Sequence, residues 1–414
     1  MKPFPELTHF AGFDWAKQHH QVVILDARGQ TVAEWRFAHD ATGWQEFRQR
    51  LAAFPALGVA IETCQGAAVE KLLESGVTVY PIAPKRAQAY RQRHRPSGDK
   101  SDSVDAWSMG DALRLDGAAW KALAAEDPVV QQLRLLCRDE VALIGQRTAL
   151  INQLQQALHE YYPAALEAFD DWTEPFAWAF VATFPTPAVL QAAGKRKGEK
   201  FLHTHKLWRP ASAAKRLEIF GRAARFAGGE AVTAAKSLLA LTLARLLQAL
   251  ERQLNEYRAR IEKLFADHPD HDLFGSLPGA GAKLAPRLLS EIGEDRDRFA
   301  DANGLQCLAG SAPVRYQSGG YQAVRLRRAC NHHLRYAVHL WADLSRAYCP
   351  WAQAYYQAQR ERGKNHAAAL RCLGNRWLKI LWKMWQTRTP YDADRHMRNQ
   401  TAHGSWVLKL QLAK

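Results

Sequence analysis

Cysteine is scarce and scattered in this sequence. The six thiols stand at positions 64, 137, 307, 330, 349 and 372, and no two of them form a C-x-x-C pair. This spacing argues against a disulfide framework or a structural zinc site and favours reduced thiols in a cytoplasm. The first residues, MKPFPELTHFAGFDWAK, lack the apolar core of a signal peptide. The longest uncharged run, 175–194, contains Pro185 and Pro187, so we do not expect it to span a membrane.

Acidic residues are under-represented as well. There are 41 Asp and Glu against 56 Lys and Arg, which leaves a net charge of +15 and a pI near 9.6. The deficit is concentrated in 302–390, where 14 basic residues face only Asp343 and Glu361. Such a balance predicts a polyanionic partner. With 414 residues, of which 47% are hydrophobic, the chain is long enough for two or three globular domains.

The first hundred residues alternate strand and helix patterns. Three consecutive strands are predicted at 9–16, 20–26 and 31–38, with a hairpin turn at 27–30. A helix over 42–54 follows, with Thr42 as its N-cap. Then come a strand at 58–63, a helix at 66–73 and a strand at 77–84. This order is typical of a ribonuclease-H-like α/β domain, in which an antiparallel portion is extended by parallel strands.

Basic and helical segments follow this α/β region. Residues 84–100 carry six basic side chains and one acidic one, and Pro96-Ser97-Gly98 marks a break before a helix that begins near Lys100 or Ser101. A later helix shows three heptads of apolar residues, which predict coiled-coil pairing within or between chains, although a long helix packed inside one chain would show the same pattern. The heptad residues are Leu243, Leu247, Leu250, Leu254, Tyr257, Ile261 and Leu264.

A new segment begins after His268-Pro269-Asp270. The apolar residues, P-G-A-G turn and amphipathic helix of 273–293 resemble a helix–hairpin–helix element. Glycines at 279 and 281 allow the backbone to approach a phosphate, and the next helix offers free N–H groups. An ordinary connection between two helices explains the same residues equally well.

Four carboxylates occupy informative positions. Asp14 ends the first predicted strand and Glu62 ends the fourth, and these strands lie side by side in the expected topology. Asp102 and Asp105 are three residues apart on one face of a helix. Four carboxylates at one place repel each other unless a cation neutralises them, and Mg²⁺ (or Mn²⁺) prefers oxygen ligands. We therefore predict a divalent-metal site, although a strand-end Asp is often a turn residue and Asp102 could simply cap its helix.

These motifs resemble the transposases of insertion-sequence family one-ten over most of the chain, from about residue 10 to about residue 341. The matching segments are GFDWAK, AIETCQG and KSDSVDA in the first half, and LPGAGAKLAPRLLSEIG, RFADANGLQCLAGSAPVRYQSGG and CNHHLR in the second. The resemblance implies a RuvC-like DEDD domain in which Asp14, Glu62, Asp102 and Asp105 are catalytic metal ligands. It also implies a C-terminal domain with a serine nucleophile.

We place that nucleophile at Ser318 in Y-Q-S-G-G, within a basic loop. From the residues alone, a turn serine would be the simpler interpretation, and the resemblance decides for the nucleophile. Ser311 in G-S-A-P ranks second, because the family usually has an apolar residue there. Cys330 also departs from the family, which often has glycine at this position. The residues expected to contact nucleic acid are Arg315, Arg325, Arg327, Arg328, Gly279, Gly281, Lys283, Arg91, Arg93 and Arg95.

The resulting domain prediction has four parts. Residues 1–115 form the RuvC-like metal-binding domain, 116–268 a helical linker and coiled coil, 269–390 a mostly helical transposase domain with the serine, and 391–414 a tail. The resemblance further implies a prokaryotic, nucleoid-associated enzyme of the cytoplasm that acts on donor and target double-stranded DNA. It implies guidance by an element-encoded RNA as well, and the coiled coil predicts a homo-oligomer, either a dimer or a tetramer.

Three other functions remain open at this point. A junction-resolvase-like nuclease of the same fold would use water as its nucleophile and need no serine. An ATPase of the actin/hexokinase type would also carry Asp14, but it requires a glycine-rich turn where this chain has Trp15-Ala16-Lys17. A non-catalytic, coiled-coil nucleic-acid-binding protein would need neither the carboxylates nor the serine.

Overall fold

The computed structural model describes residues 2–98, 100–225 and 227–404. The chain divides into two compact units, one up to residue 126 and the other from residue 127. The first unit is a mixed α/β domain around a central sheet, and the second is mostly helical. This agrees with the predicted fold class at the level of α/β followed by mainly α structure.

The first unit contains a five-stranded sheet. Its spatial order is β3-β2-β1-β4-β5, with β1–β2 and β2–β3 antiparallel and β1–β4 and β4–β5 parallel. The parallel pairs are joined through helices, as parallel connections require. The strands are β1 His9–Asp14, β2 His19–Asp26, β3 Thr31–Ala38, β4 Leu57–Ile61 and β5 Thr78–Pro81.

Four helices belong to this unit: α1 Ala41–Leu51, α2 Ala67–Glu74, α3 Pro84–His94 and α4 Asp102–Asp116. The two faces of β1 pack into different cores. On one face, Phe13 packs with Trp44 and Phe47 of α1. On the other face, Phe10 packs in a second cluster with Leu113 of α4. The sheet is therefore covered on both faces, which explains the nearly continuous burial of its central strands.

Two helix starts differ in detail from the sequence prediction. The N-cap of α1 is Asp40, whose Oδ1 accepts a hydrogen bond from Gly43 N–H at 2.8 Å, so Thr42 lies inside the helix. The helix also ends at Leu51 rather than 54. At α4 the cap is Ser101, which accepts from Val104 N–H, and Asp102 is the first helical residue. Asp102 therefore does not cap this helix and keeps its carboxylate for other contacts.

The second unit contains the long helices α5 Pro128–Tyr161 and α10 Glu230–Ala266. Between them lie α6 Pro163–Ala168, α7 Pro175–Thr183, α8 Pro187–Thr204 and α9 Pro210–Arg222. After α10 come α11 His271–Gly275, α12 Gly281–Ile292, α13 Ala302–Leu308, β6 Val314–Ser318, β7 Tyr321–Arg325, α14 His332–Tyr348, α15 Pro350–Glu361, α16 His366–Thr387 and α17 Ala393–Ala402.

The predicted heptad helix packs against α5 in an antiparallel direction. Ion pairs run from Lys236 to Glu160 at 2.9 Å and from Arg147 to Glu251 at 2.7 Å. The central heptad residues of α10 are buried in the same chain, where they pack against α5 and its neighbours. The heptad seam is thus covered within one chain. Residues of that buried seam are Leu243, Leu247, Leu254 and Ile261.

One helix pair is apolar enough to resemble a membrane segment. In the described part of the chain no single helix is long and apolar enough to span a bilayer, and α7 with α8 passes that test only as a pair bent by 104°. Trp178, Phe180 and Val181 of α7 are fully buried in the core of the second unit. Their burial accounts for the long uncharged run in the sequence.

Candidate functional site

The sheet topology brings Asp14 and Glu62 to the same edge. Strands β1 and β4 are parallel neighbours, with Phe13 opposite Ile61 in the register. Asp14 and Glu62 are the next residues along each strand, so both leave the sheet at its carboxyl edge. Both side chains are half-buried. The juxtaposition that the order of elements predicts is therefore present.

Gly12 brings α4 to this edge. A Cβ atom on Gly12 would lie 1.7 Å from the carbonyl oxygen of Ala106 and 2.8 Å from the amide nitrogen of Gly110. Only glycine permits so close an approach between strand and helix. Because Asp102 and Asp105 lie in the first turn of α4, this packing carries both carboxylates towards the end of β1.

The four carboxylates interact electrostatically. Burial, followed by the charges of Asp102, Asp105 and Glu62 in that order of size, raises the pKa of Asp14 to about 6. Burial also raises the pKa of Glu62, with Asp105 as the next contribution. Like charges at short range disfavour ionisation, and burial removes the water that would stabilise them. The cluster thus has the charge and chemistry that a hard divalent cation neutralises.

Basic groups partly neutralise the cluster in this structure. Arg91 of α3 forms an ion pair with Asp105, and the charges of Lys100 and Arg91 lower the pKa of Glu62. Over residues 2–98, 100–225 and 227–404, no three His, Cys, Asp or Glu side chains are grouped closely enough to hold one metal ion. The four carboxylates therefore influence one another electrostatically but do not form a coordination sphere in this conformation, in which Asp105 is paired with Arg91.

The predicted nucleophile lies on a β-ribbon rather than in an irregular loop. Ser318 is the last residue of β6 and pairs with Tyr321, the first residue of β7, across the two-residue turn Gly319-Gly320. The positive φ of Gly319 suits this tight turn. The sequence prediction of a mostly helical C-terminal domain missed this ribbon, although the period-2 pattern VRYQS-GG-YQAVR marks it.

Ser318 is exposed, and it shares one face of the ribbon with aromatic and basic groups. Residues directly opposite each other in an antiparallel pair point to the same face, so the side chains of Ser318 and Tyr321 share a face of the ribbon. Tyr316, two residues before Ser318 on the same strand, lies on that face as well. The guanidinium of Arg325 stacks over the Tyr316 ring at 4.4 Å. Within the described residues, nothing forms a hydrogen bond with the Ser318 hydroxyl. Its oxygen is accessible on a cationic, aromatic surface.

The rival serine has a different environment. The Ser311 hydroxyl donates to the carbonyl oxygen of Gln306 at 3.3 Å and accepts from Asn375 Nδ2 at 3.1 Å. The first bond closes the turn after α13, and the second ties that turn to α16. Its hydroxyl therefore has a structural role in this conformation.

The predicted nucleic-acid contacts fall in several places. Arg315, Arg325 and Arg328 are exposed on and beside the ribbon, whereas Arg327 is half-buried. Arg93 and Arg95 are exposed at the end of α3, and Arg91 is engaged by Asp105. These contacts stay predictions.

The helix–hairpin–helix segment shows a packing reason for one of its glycines. A Cβ atom on Gly279 would lie 2.8 Å from the backbone nitrogen of Ser345, so this turn packs directly against α14. Gly281 and Lys283 are exposed at the start of α12. The phosphate contact predicted for Gly281 and Lys283 is a different role from the packing of Gly279 against α14.

One buried network escaped the sequence analysis. Glu291 of α12 binds Arg138 of α5 through two hydrogen bonds of 2.7 and 2.8 Å, and it accepts from Asn331 Nδ2 at 2.6 Å. Asn331 also caps α14 by accepting from Leu334 N–H. Within the segment CNHHLR, Asn331 makes these structural contacts.

Comparison with known proteins identifies the class. Residues 11–163 match a family profile described as a transposase, and residues 271–357 match one described as "Transposase IS116/IS110/IS902 family". The two profiles cover the carboxylate-bearing domain and the segment around the serine ribbon. The fold and both matches thus define an insertion-sequence transposase.

Relatives extend the similarity over nearly the whole chain. The chain is 36% identical over 406 residues to the "Mini-circle putative transposase for IS117" of Streptomyces coelicolor, covering 94% of this chain and 96% of that protein. It is 26% identical over 393 residues to the "Insertion element IS900 uncharacterized 42 kDa protein" of Mycobacterium paratuberculosis, covering 92% and 96%. It is also 26% identical to a protein of insertion element IS116 from Streptomyces clavuligerus, covering 91% and 94%. The chain belongs to the IS110 family of transposases, the family one-ten that its motifs resemble, and is accordingly an enzyme of DNA transposition.

Proposed function

We propose that this transposase cuts and rejoins DNA through Ser318. The observation that carries the proposal is the accessible Ser318 hydroxyl, which stands at the tip of an exposed ribbon whose charged side chains are all arginines. Ser311, the alternative, uses its hydroxyl in two internal hydrogen bonds. A nucleophile must reach a phosphorus atom, and only an accessible hydroxyl can do so.

The chemistry is a transfer of a phosphodiester. Ser318 Oγ forms a bond to phosphorus, the bond from phosphorus to one deoxyribose oxygen breaks, and the hydroxyl proton ends on that leaving oxygen. The product is a phosphoserine diester that retains the energy needed for rejoining. Attack by a deoxyribose hydroxyl of the partner strand reverses these steps and returns the proton to Ser318.

The carboxylates supply the second part of the proposal. Asp14, Glu62, Asp102 and Asp105 are the residues that would hold Mg²⁺ or Mn²⁺, and the raised pKa of Asp14 is an electrostatic cost that a cation would remove. A bound divalent ion would supply charge neutralisation at the scissile phosphate. Release of Asp105 from Arg91 would complete the ligand set and free the guanidinium for a phosphate.

The finer architecture belongs to this proposal as well. The strand order β3-β2-β1-β4-β5 supports a ribonuclease-H-like, RuvC-like domain, whose compact unit extends to residue 126 rather than 115. The division of the second unit into a helical linker up to 268 and a transposase domain over 269–390 is part of the proposal. The α5–α10 pair supports a coiled-coil element for a dimer or tetramer. Because its heptad seam is covered within the chain, an oligomer would use the exposed apolar residues of α10, which include Leu238, Leu239 and Leu246.

Guidance by an element-encoded RNA rests on family membership. The basic segment 84–100 and the exposed Arg93 and Arg95 suit a nucleic-acid backbone, which DNA or RNA would equally provide. An association with the nucleoid in a prokaryotic cytoplasm would follow from binding DNA.

The test compares two serine variants on DNA that carries the ends and non-coding flank of the insertion element. We expect Ser318→Ala to abolish both strand exchange and the covalent protein–DNA adduct, detected by denaturing electrophoresis of labelled DNA. Ser311→Ala serves as the matched control and should retain the adduct. If Ser318→Ala continues to cut DNA in Mg²⁺, water is the nucleophile and a resolvase-like nuclease replaces the proposal.

A further inference from the structure

A cleft of about 270 Å³ lies against the turn after α13, a few residues before the serine ribbon begins. The turn after α13 forms one side, α14 the second and α16 the third. Its floor is apolar, with Ala309, Val338 and Leu370 as main contributors. A volume of this size and an apolar floor suit a small planar group such as a nucleobase.

The rim of the cleft is cationic. Arg335 and Arg371 line it together with the imidazoles of His332 and His339, and no carboxylate is among the lining residues. In the described part of the chain, the one carboxylate that contributes to the pKa of His339 is that of Asp343, which is itself paired with Arg346. A rim of this composition attracts a phosphate.

Arg335 is held in place without a carboxylate. Its Nη2 donates to the carbonyl oxygen of Arg327, and its Nε atom is buried with no hydrogen-bond partner among the described residues. Gly310 makes room for it, because a Cβ there would lie 2.3 Å from Arg335 Nη2. A positioned guanidinium whose charge is not neutralised by a carboxylate of the described residues is suited to binding an anion.

Tyr336 adds an aromatic surface to the rim. It lines the cleft, and 47% of its surface is exposed although it is a large ring. Exposed rings beside basic groups stack with unpaired bases. The apolar floor, the ring and the guanidinium thus match the base and phosphate of one nucleotide.

We propose that this cleft binds a single unstacked nucleotide of the DNA strand that Ser318 attacks. This inference rests on the proposed function in one respect, namely that the bound nucleotide belongs to the strand that Ser318 attacks. The ribbon begins at Val314, three residues after Ser311 of the cleft wall, and Ser318 at its tip is four residues further, roughly 13 Å along the strand. A nucleotide held here would therefore fix the strand a short distance from the reacting phosphodiester.

The experiment uses the full chain and short single-stranded DNA that contains 5-iododeoxyuridine, which cross-links to nearby aromatic rings on illumination. We expect peptide mapping to find the cross-link on Tyr336. Arg371→Met and Tyr336→Leu should each weaken binding of the same DNA by roughly tenfold in fluorescence anisotropy. Lys383→Met, a basic residue of α16 outside the cleft, is the matched control and should change affinity less than twofold, a limit set by about 0.4 kcal/mol.

Each outcome has a meaning. Cross-links confined to Tyr316 and Tyr321, or unchanged affinity in both cleft variants, would overturn the proposal. Cross-linking by iodouridine RNA but not by DNA would overturn it in favour of an RNA nucleotide. Thermal unfolding of each variant shows that it is folded. Ser318→Ala should retain the Tyr336 cross-link, so a failure of the nucleophile proposal would be seen separately from a failure at the cleft.

Discussion

Arg91 forms an ion pair with Asp105, one of four carboxylates at the end of β1. This pair gives the acidic cluster an internal counter-ion. We expect Arg91→Met to lower the melting temperature in EDTA, because Asp105 then repels its neighbours without compensation. Added Mg²⁺ should restore the melting temperature more in this variant than in the wild type, as differential scanning fluorimetry would measure. Arg93→Met, an exposed neighbour on the same helix, is the control. An equal response of both variants to Mg²⁺ would contradict the role of the ion pair.

The raised pKa of Asp14, about 6, predicts how metal binding depends on pH. A protonated carboxyl group does not bind a cation, so Mg²⁺ affinity should be full well above pH 6, where Asp14 is ionised, and should fall as the pH drops through 6. A carboxylate with an ordinary pKa would keep its affinity to about pH 4. Isothermal titration calorimetry across this range measures the effect. Asp14→Asn should bind Mg²⁺ more weakly and lose the transition near pH 6. A transition that persists in Asp14→Asn would assign it to another group.

Gly12 provides a test of how the site is assembled. We expect Gly12→Ala to destabilise the protein by about 1–3 kcal/mol or more, because its Cβ would overlap the carbonyl oxygen of Ala106 and push α4 away from β1. Urea unfolding measures this change. Gly145→Ala on α5 is the contrast, since nothing lies within 4 Å of its added Cβ, and alanine should stabilise that helix by up to about 1 kcal/mol. Equal stability of the two variants would show that α4 does not depend on Gly12.

Glu291 is predicted to be a positioning residue for the start of α14. Glu291→Gln leaves the buried end of Arg138 without its charge partner and should cost about 3 kcal/mol of unfolding free energy at pH 7. Hydrogen bonds from Arg138 and Asn331 hold the pKa of Glu291 below its usual range. Ionised Glu291 therefore stabilises the folded protein above pH 4.5, the ordinary pKa of a glutamate. This stabilisation is lost as the pH falls through the lower pKa that Glu291 has in the folded protein. The stability difference between wild type and Glu291→Gln should shrink accordingly on acidification. A difference that is constant with pH would exclude this charge effect.

Ser311→Ala should separate structure from chemistry. Loss of the hydroxyl removes the hydrogen bond from Asn375 of α16 and the local bond to Gln306 of α13, at a cost of about 1 kcal/mol. The same variant should still form the protein–DNA adduct. Unchanged stability together with a lost adduct would make Ser311 the nucleophile and Ser318 a turn residue.

Much of the first unit could be predicted from sequence because its signals are local. Alternating apolar residues identify the strands, and the order of elements places Asp14 beside Glu62. The start of α1 was misplaced by two residues, since Asp40 and Thr42 are both good caps and only the backbone path selects Asp40. The serine ribbon was missed because two five-residue strands are a weak signal among long helices.

The heptads of α10 show a different limit. Their spacing correctly indicates a helix with an apolar seam, but periodicity does not reveal which surface covers it. In the structure that surface is α5 of the same chain, aligned by ion pairs such as Arg147 with Glu251. The partner of an apolar stripe is decided by geometry over more than a hundred residues of sequence separation.

The sequence by itself determined the types and order of the chemical groups: four carboxylates on an α/β domain, a serine before two glycines, and an excess of positive charge in the second half. Tertiary structure alone decided that Gly12 lets α4 approach β1, that Arg91 neutralises Asp105, and that Ser311 is engaged whereas Ser318 is accessible. The reason is physical. Residue type and periodicity act over a few neighbouring residues, whereas pKa shifts, ion pairs and accessibility depend on atoms brought together from distant parts of the chain.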